Sequence, residues 1–170
     1  MLLNINHRDG SLWNSKNTIR DQKLEFRNDL KFMAGEKENE KMYDVSALGF
    51  GDNVVDKYEH IKTMYPGGNC VNFAVYAKMF GAKRSAYMGY FGNDAEAEHV
   101  MYALDDIGIE TVKCKQLEGE NGCARATLVD GDRVFLGSNE GGIRGKTPYV
   151  LDRFDLEYIR QFDFVHSGNY

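Results

Sequence analysis

The sequence is poor in residues that make crosslinks. Its three cysteines, Cys70, Cys114 and Cys123, are too few and too odd in number for a disulfide framework. No Cys-x-x-Cys pair occurs, and His7, His60, His99 and His166 are scattered, so no zinc-ligand spacing is present. The expectation is no metal ligands, and three reduced thiols in a cytoplasmic protein. No apolar run approaches the length of a membrane span, and the N-terminus lacks the apolar core of a secretory signal. Positive charge is also in deficit: 21 Lys and Arg against 26 Asp and Glu leave a net charge of −5. That balance argues against nucleic acid or an anionic membrane as a partner. What is there, 42% hydrophobic and 28% charged residues over 170 positions, suffices for one globular domain with a buried core.

Composition changes near Met42. Residues 1–41 carry 8 Lys or Arg, 7 Asp or Glu, only 13 hydrophobic residues and 2 of the 18 glycines. They read as an extension outside the fold, with a short amphipathic helix over 21–33 built on Leu24, Leu30 and Phe32, and a charged linker after it. From Met42 to Tyr170 short apolar runs alternate with glycine. Residues 43–49 form a compact apolar run, a buried strand. Residues 69–80 place Val71, Ala74, Val75 and Met79 at helical spacing. Residues 85–91 read as an aromatic-rich strand. Asn93 and Glu96 have the spacing of a capping box, opening a helix that Gly108 stops. Asp130-Gly131 between the β-prone runs 124–129 and 133–136 predicts a hairpin, because both turn residues take positive φ. Residues 155–161 suit a short helix and 162–165 a last strand. The order indicates an α/β sheet with an added β element.

Three glycine clusters compete for chemistry. Gly49-Phe50-Gly51 follows a strand, but Val54 stands where a dinucleotide fingerprint needs glycine, which disfavours a Rossmann-type oxidoreductase. In Gly141-Gly142-Ile143-Arg144-Gly145-Lys146-Thr147 the P-loop count is one residue short, and Pro148 follows where a helix must run on. This reads as a surface loop. Pro66-Gly67-Gly68-Asn69-Cys70-Val71-Asn72 places two glycines before an apolar helix. There the chain can approach a ligand closely, with helix-start N–H groups and the Asn72 amide as donors. A plain tight turn explains the same spacing equally well. Asp56, expected near the C-terminal end of the first strand, is where ligands of open α/β sheets bind. A carboxylate opposite an amide is a way to hold a polyol.

Gly67-Gly68-Asn69-Cys70-Val71-Asn72-Phe73-Ala74 with Gly81 resembles the N-terminal signature of the PfkB (ribokinase-like) carbohydrate kinases. Gly51-Asp52-Asn53-Val54-Val55-Asp56 and the run from Tyr65 to Tyr76 look closest to their fructosamine branch, the fructoselysine 6-kinases. Phe91-Gly92-Asn93-Asp94, Asp132-Arg133-Val134-Phe135, Asn139-Glu140-Gly141 and Val165-His166-Ser167 continue the likeness in order, over residues 42–170. Two positions depart from it: Cys70 stands where the signature prefers Gly, Ala or Pro, and one extra residue separates Gly81 from Gly92, which suggests a bulge.

The resemblance implies a three-layer α/β/α, Rossmann-like sheet with a small β lid, here truncated. The lid would come from the strand before Asp56, its continuation toward Tyr65, and the Asp130-Gly131 hairpin; in the family it can also form a homodimer. By the same likeness Asp56, Gly67, Gly68 and Asn72 would hold a sugar or fructosamine, with Gly67 and Gly68 as the lid hinge. Arg125 and Glu140 would be further contacts from the lid. The family transfers phosphate from ATP with Mg2+, using an aspartate in a Gly-Ala-Gly-Asp motif. Residues 101–170 contain no such motif, so no catalytic residue is identified; Asp52 and Asp94 are the nearest substitutes. The expectation is therefore sugar binding without tight ATP or Mg2+ binding, in a chain poorly stable as a monomer. The alternative is a non-catalytic sugar-binding or interaction fragment of the same fold.

Overall fold

The computed structural model describes residues 42–168. The readings made of residues 1–41, and of Asn169 and Tyr170, lie outside the described residues. Twelve elements follow in order among them: β1 (Tyr43–Gly51), β2 (Val54–Tyr58), β3 (Thr63–Gly67), α1 (Asn69–Met79), β4 (Ala82–Phe91), α2 (Ala95–Ile107), β5 (Lys115–Gln116), β6 (Gly122–Val129), β7 (Asp132–Ser138), α3 (Gly142–Lys146), α4 (Arg153–Ile159) and β8 (Phe164–Ser167).

They make two sheets. One has the order β5-β4-β1-β8 and is parallel throughout. Strand β4 shows why it needs cover on both faces: seven residues in a row, from Ser85 to Phe91, are buried. Tyr87 and Phe91 face α1 and α2, packing with Val71, Ala74, Val100 and Leu104. Ala86 and Met88 face α4, packing with Leu48, Tyr158 and Phe162. The result is a three-layer α/β/α arrangement. An Arg84–Glu110 pair fastens the α4 side: the guanidinium makes two bonds of 2.8 Å to the carboxylate and lies over the Phe162 ring, while the Tyr158 hydroxyl donates to the same carboxylate. That carboxyl is held below its ordinary value chiefly by the arginine bond.

The other sheet, also four-stranded, has the order β3-β2-β6-β7. Strands β2 and β3 form one antiparallel hairpin, β6 and β7 another, and the two hairpins join through the parallel β2–β6 pair. Asp130 (φ 52) and Gly131 (φ 89) make the predicted turn. The inner face of this sheet carries Val55 and Met64 into the core beside α2. Lys57 on the same face forms a buried ion pair with Glu96 of α2.

Three local expectations are corrected. The cap of α2 is Asp94, whose carboxylate accepts from the Ala97 N–H at 2.9 Å; Asn93 instead accepts from the Gly119 N–H, and Glu96 serves Lys57. Residues 142–146 are a short helix rather than a surface loop, because Gly141 and Gly142 both take positive φ and start the turn. The bulge expected between Gly81 and Gly92 is not there: β4 pairs one-to-one with β1 from Arg84 to Gly89, and the register shift lies in β1, between Tyr43 and Ser46. Among the described residues, no helix is long and apolar enough to cross a membrane.

Candidate functional site

The bend from β1 into β2 and the start of α1 meet at the C-terminal end of the parallel sheet. Strands enter on both sides of β1 here, since β4 follows through α1 and β8 arrives last. Such a reversal of strand order opens a crevice. Its floor is tightly built. Asn53 is buried and donates to the Tyr87 hydroxyl and the Tyr90 carbonyl, tying the bend to β4. Gly68, at φ 99, caps α1, and a side chain there would press on the Asn53 backbone at 2.9 Å.

Three of the N–H groups at the start of α1 are taken by the protein itself. The buried Asp52 carboxylate accepts from the Asn69 N–H at 2.7 Å and the Cys70 N–H at 3.1 Å. The Asn72 N–H bonds the Gly68 carbonyl at 2.9 Å. The expectation that helix-start N–H groups serve ligand oxygens is thus overturned for Asn69, Cys70 and Asn72: the protein's own acceptors take them. Cys70 packs beneath, its thiol donating to the Phe50 carbonyl, and burial pushes it up to about 12. It is an inert packing group rather than a nucleophile.

Asp56 lies elsewhere than expected. It is in the middle of β2, in the mixed sheet, not at the end of β1. Its partner across the hairpin is Tyr65, and the absence of a Gly67 side chain leaves room for Oδ2, which sits 3.0 Å from where that Cβ would be. Oδ1 accepts from Arg133 Nη2 at 3.0 Å. Partial burial pushes the Asp56 carboxyl above its ordinary value, and the Arg133 charge opposes that rise.

Asp56 and the Asn72 side chain line one cleft of about 450 Å3, walled by Tyr58, His60, Tyr65 and Tyr76. Of the sequence-selected residues only these two line the cleft; Gly67 packs beside the Asp56 carboxylate, and Gly68 faces the Asn53 backbone. Arg125 does not join them: its partner across β2–β6 is Lys57, which places it on the face opposite Asp56. Glu140 sits beyond the end of β7 and before α3, with its own N–H bonded to the Ser138 hydroxyl. The tyrosine walls and Arg133 escaped the sequence reading. Tyr58 at i+2 from Asp56 and Tyr76 at i+4 from Asn72 carried a periodicity signal. Arg133 carried none, since it reaches Asp56 across the intervening strand β6.

Phosphate cradles are absent from the described residues. Each helix start is occupied by protein acceptors: Asp52 at α1, Asp94 at α2, the Asn139 and Glu120 carbonyls at α3, and Asp152 at α4. The Gly145-Lys146-Thr147 run sits at the end of α3, where the helix dipole is negative, not at its start. No group of three His, Cys, Asp or Glu side chains is placed to hold a metal ion among these residues. These residues do not fit the phosphates of ATP.

A family model, described as pfkB family carbohydrate kinase, matches residues 36–169. The chain belongs to the pfkB family of carbohydrate kinases. It is 40% identical over 124 residues to the fructosamine kinase FrlD of Bacillus subtilis, covering 72% of this chain and 43% of that protein. It is 29% identical over 118 residues to the fructoselysine 6-kinase of Escherichia coli, covering 69% of this chain and 44% of that protein. The pfkB chain thus spans less than half the length of these two curated relatives. In fold it is similar to an Arabidopsis thaliana ribokinase solved with ribose and ATP, with a TM-score of 0.55 and 18% identity over 75% of this chain and 45% of that one. The fold is therefore ribokinase-like: a Rossmann-like α/β/α body with a second, mixed sheet.

Proposed function

We propose that this chain carries the sugar-binding half of a carbohydrate kinase whose acceptor is a ketose or a fructosamine, and that the complete enzyme phosphorylates a hydroxyl of it from ATP with Mg2+. The observation that carries this is the single cleft into which the lid sends Asp56 and α1 sends Asn72. A carboxylate accepts from sugar hydroxyls and an amide donates and accepts, so together they hold a polyol by both kinds of bond. The tyrosine walls cover C–H faces and suit a protonated amine, which favours a fructosamine over a bare sugar. The identity to a fructosamine kinase and a fructoselysine 6-kinase supports the same branch. Arg125 stands outside this cleft, and Glu140 remains a contact available only from the lid rim.

A second reading, a binding module without catalysis, is favoured by one observation. The two aspartates that could substitute for the missing catalytic one, Asp52 and Asp94, both accept from helix-start N–H groups. This chain alone is accordingly proposed to bind sugar and transfer no phosphate, since both of these carboxylates are already engaged by the backbone. The lid also offers an exposed outer strand, β7, with Val134, Phe135 and Leu136 open to solvent, which suits pairing with a second copy. The reduced thiols fit a cytoplasmic location.

Calorimetry with fructoselysine tests the site. Asp56→Ala is expected to weaken binding by about 1–3 kcal/mol, the cost of an unpaired hydroxyl contact, with Asn72→Ala acting similarly. Affinity unchanged in both variants removes the cleft from the sugar site. Sugar-dependent ADP release by the purified chain, abolished by Asp52→Asn or Asp94→Asn, overturns the proposal of inactivity.

A further inference from the structure

Asp56 and Arg133 sit on strands that are not neighbours. Strand β6 lies between β2 and β7, so the Arg133 side chain must cross it to reach the carboxylate. The sequence of β6 makes that crossing possible. The residues it presents beside Asp56 and Tyr58 are Ala124 and Ala126, the smallest side chains that keep a strand intact. Register then places Arg133 opposite Leu128, which lines the cleft. From there the guanidinium passes at 6.0 Å over the Tyr58 ring and ends 3.0 Å from Asp56 Oδ1. Aromatic face, alanine floor and carboxylate together fix one path for a long side chain.

We propose that Arg133 is the positioning residue of the cleft: it holds the Asp56 carboxylate ionised and turned toward the ligand. This deepens the sugar-site reading and rests on it. A polyol needs an acceptor, and only the ionised carboxylate offers both oxygens as acceptors. Partial burial works against that state and the Arg133 charge works for it. The other titratable groups facing the cleft are His60 of the β2–β3 turn, Tyr58 of β2, Tyr65 of β3 and Tyr76 of α1; β6 contributes none. Lys57 and Arg125 belong to the opposite face of the lid.

The test follows the Asp56 carboxyl carbon by NMR during a pH titration of the 170-residue chain, together with fructoselysine affinity at several pH values. In Arg133→Met the Asp56 midpoint is expected to rise, and affinity to fall about tenfold on the acid side for each unit of that rise, recovering toward the native value at alkaline pH. Arg133→Lys restores part of the midpoint. In the native chain 1 M salt raises the midpoint too, because the pair is partly exposed and screened; this arm needs no variant to fold. A midpoint unmoved by substitution and salt overturns the proposal, as does an affinity loss equal at every pH. A moving midpoint in a chain that binds no fructoselysine supports the hold of Arg133 on Asp56 and overturns the sugar reading instead.

Discussion

Glu96→Leu is expected to destabilise the protein by about 3–5 kcal/mol, as breaking a buried ion pair does. The Lys57 and Glu96 side chains are only 13% and 8% exposed, which separates this pair from the surface pairs that contribute little. Removing the carboxylate leaves a buried ammonium beside apolar Val55 and Met64 on the inner face of the lid. The double variant Lys57→Met/Glu96→Leu should recover most of the loss, because two apolar side chains of similar volume need no charge compensation. Urea unfolding of the two single variants and the double variant measures this. A loss below about 1 kcal/mol in Glu96→Leu means that the pair behaves as a surface contact. The pair also bears on the site. Lys57 follows Asp56 in β2 and points the opposite way, so the bond that anchors the lid to α2 aims Asp56 at the cleft.

Gly49→Ala should cost more than about 3 kcal/mol, the upper range of overpacking, or prevent folding altogether. A Cβ on Gly49 would stand 1.9 Å from the Cys70 carbonyl oxygen and 2.8 Å from its carbonyl carbon. The obstacle is backbone, not a side-chain tip that can swing away. Nor can the start of α1 retreat freely, because Asp52 holds the Asn69 and Cys70 N–H groups. Gly108→Ala is the control. Gly108 has φ 76 and open space around it, so only the left-handed conformation is penalised, at about 1 kcal/mol. Thermal unfolding of both variants ranks them; equal losses would show that the strand and helix can separate at no cost.

The same comparison explains what the glycines of the sequence meant. Gly49 and Gly51 suggested a nucleotide loop by their spacing. Their neighbours show a strand against which a helix start packs closely. Gly67 and Gly68 suggested a ligand approach. They do adjoin the cleft, but Gly67 makes room for a carboxylate and Gly68 for the Asn53 backbone. Spacing alone cannot separate these uses, since a missing Cβ serves a ligand, a helix or a side chain alike.

Local order was legible wherever one residue type dictates one conformation. Asp130-Gly131 dictates its turn, Gly108 ends α2, and the apolar run of β4 requires cover on both faces. The ordered motifs from Gly51 to Ser167 were enough to indicate the family and its three-layer fold with a lid. Long-range contacts were not legible. Asp52 capping α1 from 17 positions away, Lys57 meeting Glu96, and Arg133 crossing two alanines to reach Asp56 each depend on strand order and register. A side chain's partner is set by which strand lies next to its own, and that choice belongs to the packed sheet as a whole. The sequence by itself determined most of the elements and the candidate residues for holding a polyol. Only the tertiary structure decided which of those residues share a cleft, and which are spent holding the fold together.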